Sequence, residues 1–258
     1  MRAPLLVIWF VLCLVAIGCG GGDGGGGGGG GGGGERGGGE SGGGESGGDG
    51  PREDVELGDR PIPEGATKVA ALGDSITAGS PLWDPDPAIR ATLASSADRE
   101  SQYQFWAARR LDDVVFRNCG VFGERTDEIA ARLEGCAEGA EVLIVQGGIN
   151  DIAQRRSVAK AAANLRTMVR RGRRLGLRVA LVEVLPWTNG YPRAAEPIDE
   201  LNRLIGEIGE QLDVPVYPWY QALEDPDAPG RMRADLTDDG DHPSVAGYRR
   251  LAESVRLP

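Results

Sequence analysis

From residue 67 to the C-terminus, short apolar runs alternate with helical stripes, and that alternation limits what the chain can fold into. Residues 67–72, 114–116, 141–146, 177–184 and 214–217 are short and mostly apolar, as buried strands are. Between and after them, residues 102–111, 126–133 and 157–175 have helical character. In the longest of these, Val158, Ala162, Leu165, Val169 and Leu175 fall close to one face. Ile198, Leu201, Ile205, Ile208 and Leu212 make a further stripe, and Ser244 can cap a last helix bearing Tyr248, Leu251, Ala252 and Val255. Strands alternating with helices imply βαβ units: a parallel sheet of about five strands with helices on both faces. Sites on such sheets form beyond the carboxyl ends of the strands, so reactive residues should follow strands directly. Ser75, Gly123 and Asn150 each do.

The first 66 residues are of another kind. Residues 1–18 have the layout of an export signal: Arg2, an apolar run of about 13 residues from Leu5 to Ile17, then Gly18. The run is short for a membrane span, which needs roughly 20 residues. Ala16-Ile17-Gly18-Cys19 resembles the lipobox of bacterial lipoproteins, with Ala16 where that family more often has Leu. The resemblance implies that Cys19 carries a diacylglyceryl group and begins the mature chain. The expected location is therefore extracytoplasmic and membrane-anchored, or secreted if Cys19 is an incidental cysteine behind an ordinary signal.

Residues 20–50 are nearly pure glycine with no apolar side chain, so nothing there offsets the entropy of ordering. As a coil the stretch would span roughly 30 Å, suiting residues 19–66 as a disordered tether. Two G-x-S-x-G matches, around Ser41 and Ser46, lie in it. Such motifs carry meaning only at a strand-to-helix junction, so both are discarded.

The folded part is then residues 67–258, enough for one domain. Its 24 Lys and Arg face 29 Asp and Glu. The one basic run, Arg170-Arg171-Gly172-Arg173-Arg174, falls on the solvent side of an amphipathic helix, so nucleic-acid binding is not expected.

Four blocks can carry chemistry: Gly73-Asp74-Ser75, Asn118-Cys119-Gly120-Val121-Phe122-Gly123, Gly148-Ile149-Asn150-Asp151 and Asp239-Gly240-Asp241-His242-Pro243. A serine hydroxyl needs a neighbouring base to become a nucleophile, and His242 is the chain's single histidine. Asp239, three residues earlier, can hold the far ring nitrogen, with Asp238 and Asp241 as competitors. Backbone N–H groups of Ser75 and Gly123 and the Asn150 amide can serve as donors to an oxyanion, each worth about 3–4 kcal/mol. Gly120 competes with Gly123, and Asp74 and Asp151 read as structural helix-start carboxylates.

In this order and spacing the blocks resemble the SGNH (GDSL-type) hydrolase superfamily over essentially all of residues 67–258. The resemblance implies a flavodoxin-like three-layer α/β/α fold, with neither metal nor organic cofactor. It assigns Ser75 as nucleophile, Asp239 and His242 as the rest of a triad, and Gly123 and Asn150 as oxyanion donors. A zinc site is not expected from one histidine without C-x-x-C or H-E-x-x-H.

Once Cys13 and Cys19 are set aside, Cys119 and Cys136 remain, either bridged or as two buried thiols. Residues 80–100 form a Pro-rich insertion after the nucleophile. Its Trp83, with Trp187, Trp219 and Tyr220, either lines an acyl or sugar pocket or packs loops. The expected function is an extracytoplasmic, monomeric serine esterase acting on short-chain or acetyl esters, free or on glycans. The alternatives are an acyltransferase with the same triad and a catalytically silent lipoprotein that binds a glycan or partner.

Overall fold

A computed structural model describes residues 54–55 and 64–258. The export signal, Cys19 and the glycine-rich stretch lie outside the described residues. Among the described residues, six strands form one sheet: β1 (Asp54–Val55), β2 (Thr67–Gly73), β3 (Val114–Gly120), β4 (Val142–Val145), β5 (Arg178–Val182) and β6 (Val216–Tyr217). Their spatial order is β1-β3-β2-β4-β5-β6. The pairs β3–β2, β2–β4, β4–β5 and β5–β6 are parallel, giving the expected five-stranded parallel sheet. The sheet also reaches back into the stretch expected to be tether. β1 pairs antiparallel with β3, Val55 opposite Phe116, as an edge strand too short to show any period in sequence.

Ten α-helices among the described residues accompany the sheet: α1 (Ser75–Ala78), α2 (Pro87–Leu93), α3 (Tyr103–Arg110), α4 (Thr126–Ala131), α5 (Leu133–Ala137), α6 (Ile149–Ala153), α7 (Val158–Arg174), α8 (Ala195–Leu212), α9 (Trp219–Leu223) and α10 (Val245–Ala252). Side chains alternate across the strands, so each strand feeds two cores. Ala70, Leu72, Leu143, Val145, Val179 and Leu181 meet the buried stripes of α7 and α8, among them Leu165, Met168, Leu201 and Ile205. Val69, Ala71, Val142, Ile144, Ala180 and Val182 face the opposite way, onto Tyr103, Trp219, Tyr248 and Leu251 of α3, α9 and α10. That is a three-layer α/β/α sandwich.

The caps follow the sequence signals. Ser157 Oγ accepts from Lys160 N–H to open α7, and Ser244 Oγ accepts from Gly247 N–H to open α10. Leu175 departs from expectation: α7 stops at Arg174, which leaves Leu175 outside the stripe and 51% exposed.

What matters for chemistry is register. Leu72 stands opposite Cys119 on one side and Val145 on the other. The carboxyl ends of β2, β3 and β4 are therefore level. The chain also changes direction of winding at β2, where a crevice opens in sheets of this kind.

Candidate active site

The turn that carries Ser75 begins where β2 ends. Asp74 leaves the sheet and caps α1, its Oδ1 accepting the Ile76 N–H at 3.0 Å. Ser75 is the first residue of that helix and is 5% exposed. Its N–H is one of the donors a helix start leaves without an intrahelical partner. Gln146, just past β4, receives the Asp74 N–H at 3.1 Å and the Thr77 hydroxyl at 2.9 Å. From the other side, Asn118 Nδ2 donates to Ala78 O and Gln104 Nε2 donates to Thr77 O. The turn is therefore stitched to its neighbours by buried polar bonds. Among the described residues, Asp74 Oδ2 is buried without a partner, as are Gln104 Oε1 and the Tyr103 hydroxyl. Burial pushes the Asp74 carboxyl up to about 6, against the lowering pull of the Ile76 N–H.

The other half arrives on the turn ahead of α10. His242 Nε2 lies 3.1 Å from Ser75 Oγ, and His242 Nδ1 lies 2.9 Å from Asp239 Oδ2. Asp239 Oδ1 also accepts the backbone N–H groups of Asp241 and His242, at 2.8 and 2.7 Å. Burial alone would raise this carboxyl. The His242 ring and backbone N–H bonds win and hold it at about 2. Of the three competing carboxylates, Asp239 is the one at the imidazole. Asp241 instead accepts from Trp187 Nε1 at 2.5 Å and Asn189 Nδ2 at 2.8 Å.

The third contribution comes from the turn after β3. A side chain at Gly120 would sit 2.0 Å from Ala78 N, so that position must be glycine for β3 to reach α1. Gly123 is glycine for another reason: its φ is +80°, while a Cβ there would meet nothing within 4 Å. Gly120 thus serves the packing, while Gly123 lies at an open face with its N–H unbonded among the described residues. Val121 N–H donates to Gly73 O at 3.1 Å, drawing this turn against the end of β2. Asn150, in α6 beyond β4, donates one amide hydrogen to Glu124 O at 3.0 Å, which leaves the second free.

Ser75, His242 and Asp239 are thus brought into one hydrogen-bonded chain, with Gly123 on an adjoining turn and Asn150 in α6. Asp74 caps its own helix, as expected. Asp151 accepts the Thr126 N–H at 2.9 Å and hydroxyl at 3.0 Å, so it caps the start of α4 instead. Cys119 and Cys136 are bridged, with Cα atoms 6.0 Å apart. Closing a 17-residue separation is worth about 3 kcal/mol by loop entropy. Arg132 braces the same turn, donating to Cys119 O at 3.0 Å and Gly73 O at 3.2 Å while paired with Glu124 at 2.5 Å.

The aromatic residues divide. Trp219 is fully buried, its ring 4.8 Å from that of Tyr103, so it is core and lines no pocket. Trp83 carries the Arg90 guanidinium 4.8 Å above its ring. Gln146, Arg132, Asn189 and Phe122 were not singled out from sequence. Gln146 and Asn189, and Arg132 through Gly73 O, act through bonds between residues far apart in the chain, and Phe122 stands in the third-strand block without a role of its own. Among the described residues, no group of three or more His, Cys, Asp or Glu could hold a metal ion, and no helix is long and apolar enough to cross a membrane.

Residues 71–250 match the family model for the GDSL-like lipase/acylhydrolase family. A search among curated proteins returns no match. Similar solved structures include a member of the lipolytic protein G-D-S-L family from Veillonella parvula, with TM-score 0.59 and 18% identity, covering 73% of this chain and 96% of that one. The acetylxylan esterase Axe2 from Geobacillus stearothermophilus has TM-score 0.57 and 20% identity, over 75% and 93%. A GDSL-like lipase from Bacteroides thetaiotaomicron has TM-score 0.56 and 18% identity, over 77% and 91%. At these identities the likeness establishes the α/β fold.

Proposed function

The chain belongs to the GDSL-like lipase/acylhydrolase family, a family of hydrolases acting on esters, and on that premise we propose a lipid-anchored extracytoplasmic serine esterase that works through an acyl-enzyme. The reading is carried by one observation: the unbroken line from Asp239 through His242 to Ser75, with contacts of 2.9 and 3.1 Å. His242 Nε2 takes the Ser75 proton as Oγ attacks the ester carbonyl. Asp239, ionised above about pH 2, keeps Nδ1 protonated and balances the imidazolium that forms. The carbonyl oxygen, now negative, faces the N–H groups of Ser75 and Gly123 and the free amide hydrogen of Asn150. Collapse of the intermediate expels the alcohol, which leaves with the proton from Nε2. Water then attacks the acyl-serine by the same route in reverse and releases the acid.

Short-chain or acetyl esters, including those on glycans, fit the open face at Gly123, where an added Cβ meets nothing within 4 Å. A long acyl chain would gain there little of the roughly 0.8 kcal/mol per methylene that burial supplies. An extracytoplasmic location is supported by the Cys119–Cys136 bridge, and lipidation by the Ala16-Ile17-Gly18-Cys19 sequence.

The test is a p-nitrophenyl ester chain-length series on the wild type and Ser75→Ala, with an acceptor alcohol added to separate transfer from hydrolysis. Rates should be highest for acetate and vanish in the variant, along with fluorophosphonate labelling. Activity that survives Ser75→Ala overturns the assignment. For the anchor, Cys19→Ser should move the protein from the detergent phase to the aqueous phase.

A further inference from the structure

Phe122 is 63% exposed although it sits one residue from an oxyanion donor and beside the base. Its ring centroid is 6.0 Å from that of His242, with the planes 31° apart. The turn that carries it is not loose. Val121 N–H bonds Gly73 O, Arg132 bonds Cys119 O and Gly73 O, and the Cys119–Cys136 bridge closes the segment behind it. A rigid turn thus holds a large apolar ring in water, where burial would favour it, at the rim of the reacting group.

Chemistry says which part of a substrate meets that ring. Acid catalysis requires the departing alcohol oxygen to take its proton from His242 Nε2, so the alcohol lies against the imidazole while the carbonyl oxygen turns toward Gly123 and Asn150. Phe122 therefore stands on the alcohol side. We infer that Phe122 is a specificity-determining platform for esters whose alcohol carries a six-membered ring, stacking an aromatic or pyranose face in line with the imidazole. This rests on the esterase reading and deepens it. Rings pair favourably at centroid separations of 4.5–7 Å, and the CH-bearing face of a pyranose can use the same surface.

The experiment holds the acyl group at acetate and varies the alcohol: phenyl acetate, a peracetylated methyl pyranoside and ethyl acetate, each with wild type, Phe122→Ala and Phe122→Trp. In Phe122→Ala, kcat/KM should fall about tenfold for whichever ring alcohol the site takes and change less than about twofold for ethyl acetate, with Phe122→Trp restoring the loss. The first two substrates tell an aryl group from a sugar. The pH profile of kcat/KM should not move, because the ring acts on substrate. An equal loss on all three esters, or a displaced pH profile, would show that Phe122 serves the imidazole and overturn the inference. So would unchanged rates on both ring esters. A wild type inert toward every ester would instead sink the esterase reading and this inference with it. At 63% exposure the residue contributes little to the core, so the variants should fold.

Discussion

Two aspartates flank the Ser75–His242 pair and titrate in opposite directions. Asp74 is fully buried under the nucleophile; one oxygen caps α1, the other has no partner, and its carboxyl rises to about 6. Asp239 is exposed on the base side, yet it accepts two backbone N–H groups and the imidazole and falls to about 2. Their chemistry is identical, so burial and bonding make the difference. A carboxylate that must stay charged is kept half in water and given donors on both oxygens. A carboxyl that only caps a helix can be buried deeply enough to hold a proton. The two sides of the site differ in the same way. Ser75 is fixed by buried long-range bonds, while His242 is fixed by a turn bonded mostly to itself.

The largest expected effect breaks the comparison at Asp239. Asp239→Asn keeps an oxygen for the backbone N–H groups of Asp241 and His242 but presents an amide to Nδ1. The ring must then accept at Nδ1, which places its hydrogen on Nε2, where it cannot take the Ser75 proton. We expect kcat/KM on p-nitrophenyl acetate to fall about 10³–10⁴-fold with thermal unfolding nearly unchanged. A loss under tenfold would mean that Asp239 does not set the tautomer.

Asp74 should announce itself in stability. Its folded pKa lies above the unfolded value, so between about pH 4 and pH 6 the folded state holds a proton that the unfolded chain has released. Stability from this group is therefore greatest below pH 4 and falls as pH rises through 6. Asp74→Asn keeps the cap acceptor and removes the ionisation. Between pH 4 and pH 7 the variant should gain up to about 3 kcal/mol relative to wild type, read by denaturant unfolding at each pH. Asp239 works the opposite way: its contribution is present above about pH 4 and is lost as pH falls toward 2, so the two windows stay apart. A constant gap between Asp74→Asn and wild type across that range would show that Asp74 is ionised throughout.

The parts legible in the sequence were those with local signals. The runs at residues 67–72 and 141–146 announce β2 and β4, and a single histidine left one candidate base. An Asp three residues ahead of it on a turn was enough to rank Asp239 above its neighbours. β3 was read too short because Arg117 and Asn118 interrupt its apolar run. Asn118 is a strand residue all the same, its buried amide bonding Ala78 O and Gln102 Oε1. Gln146 gave no signal: its partners Asp74 and Thr77 lie 72 and 69 residues away. Its place after a strand left Trp219 open between lining a pocket and packing, and its ring 4.8 Å from that of Tyr103 settles it as packing. Long-range polar pairing, the part that fixes the nucleophile, has no sequence period to read.

The smallest expected effect sharpens the contrast on the base side. Asn189 reaches across from the loop after β5 and donates to Asp239 O at 2.7 Å and Asp241 Oδ1 at 2.8 Å. It is the main long-range tie of an otherwise self-bonded turn, shared with the Trp187–Asp241 bond. Within the turn, the Thr237 hydroxyl donates to His242 O at 2.6 Å and receives the Gly240 N–H at 2.9 Å. Asn189→Ala removes two exposed hydrogen bonds and leaves these in place, so the turn should loosen without leaving its position. A net loss of about 1 kcal/mol in holding the imidazole corresponds to kcat falling about fivefold, with KM little changed. Trp187→Phe, which drops only the bond to Asp241, should cost less than that. A loss from Asn189→Ala as large as that of Asp239→Asn would mean that the base turn depends on distant residues as much as the nucleophile turn does, and the contrast between the two sides would disappear.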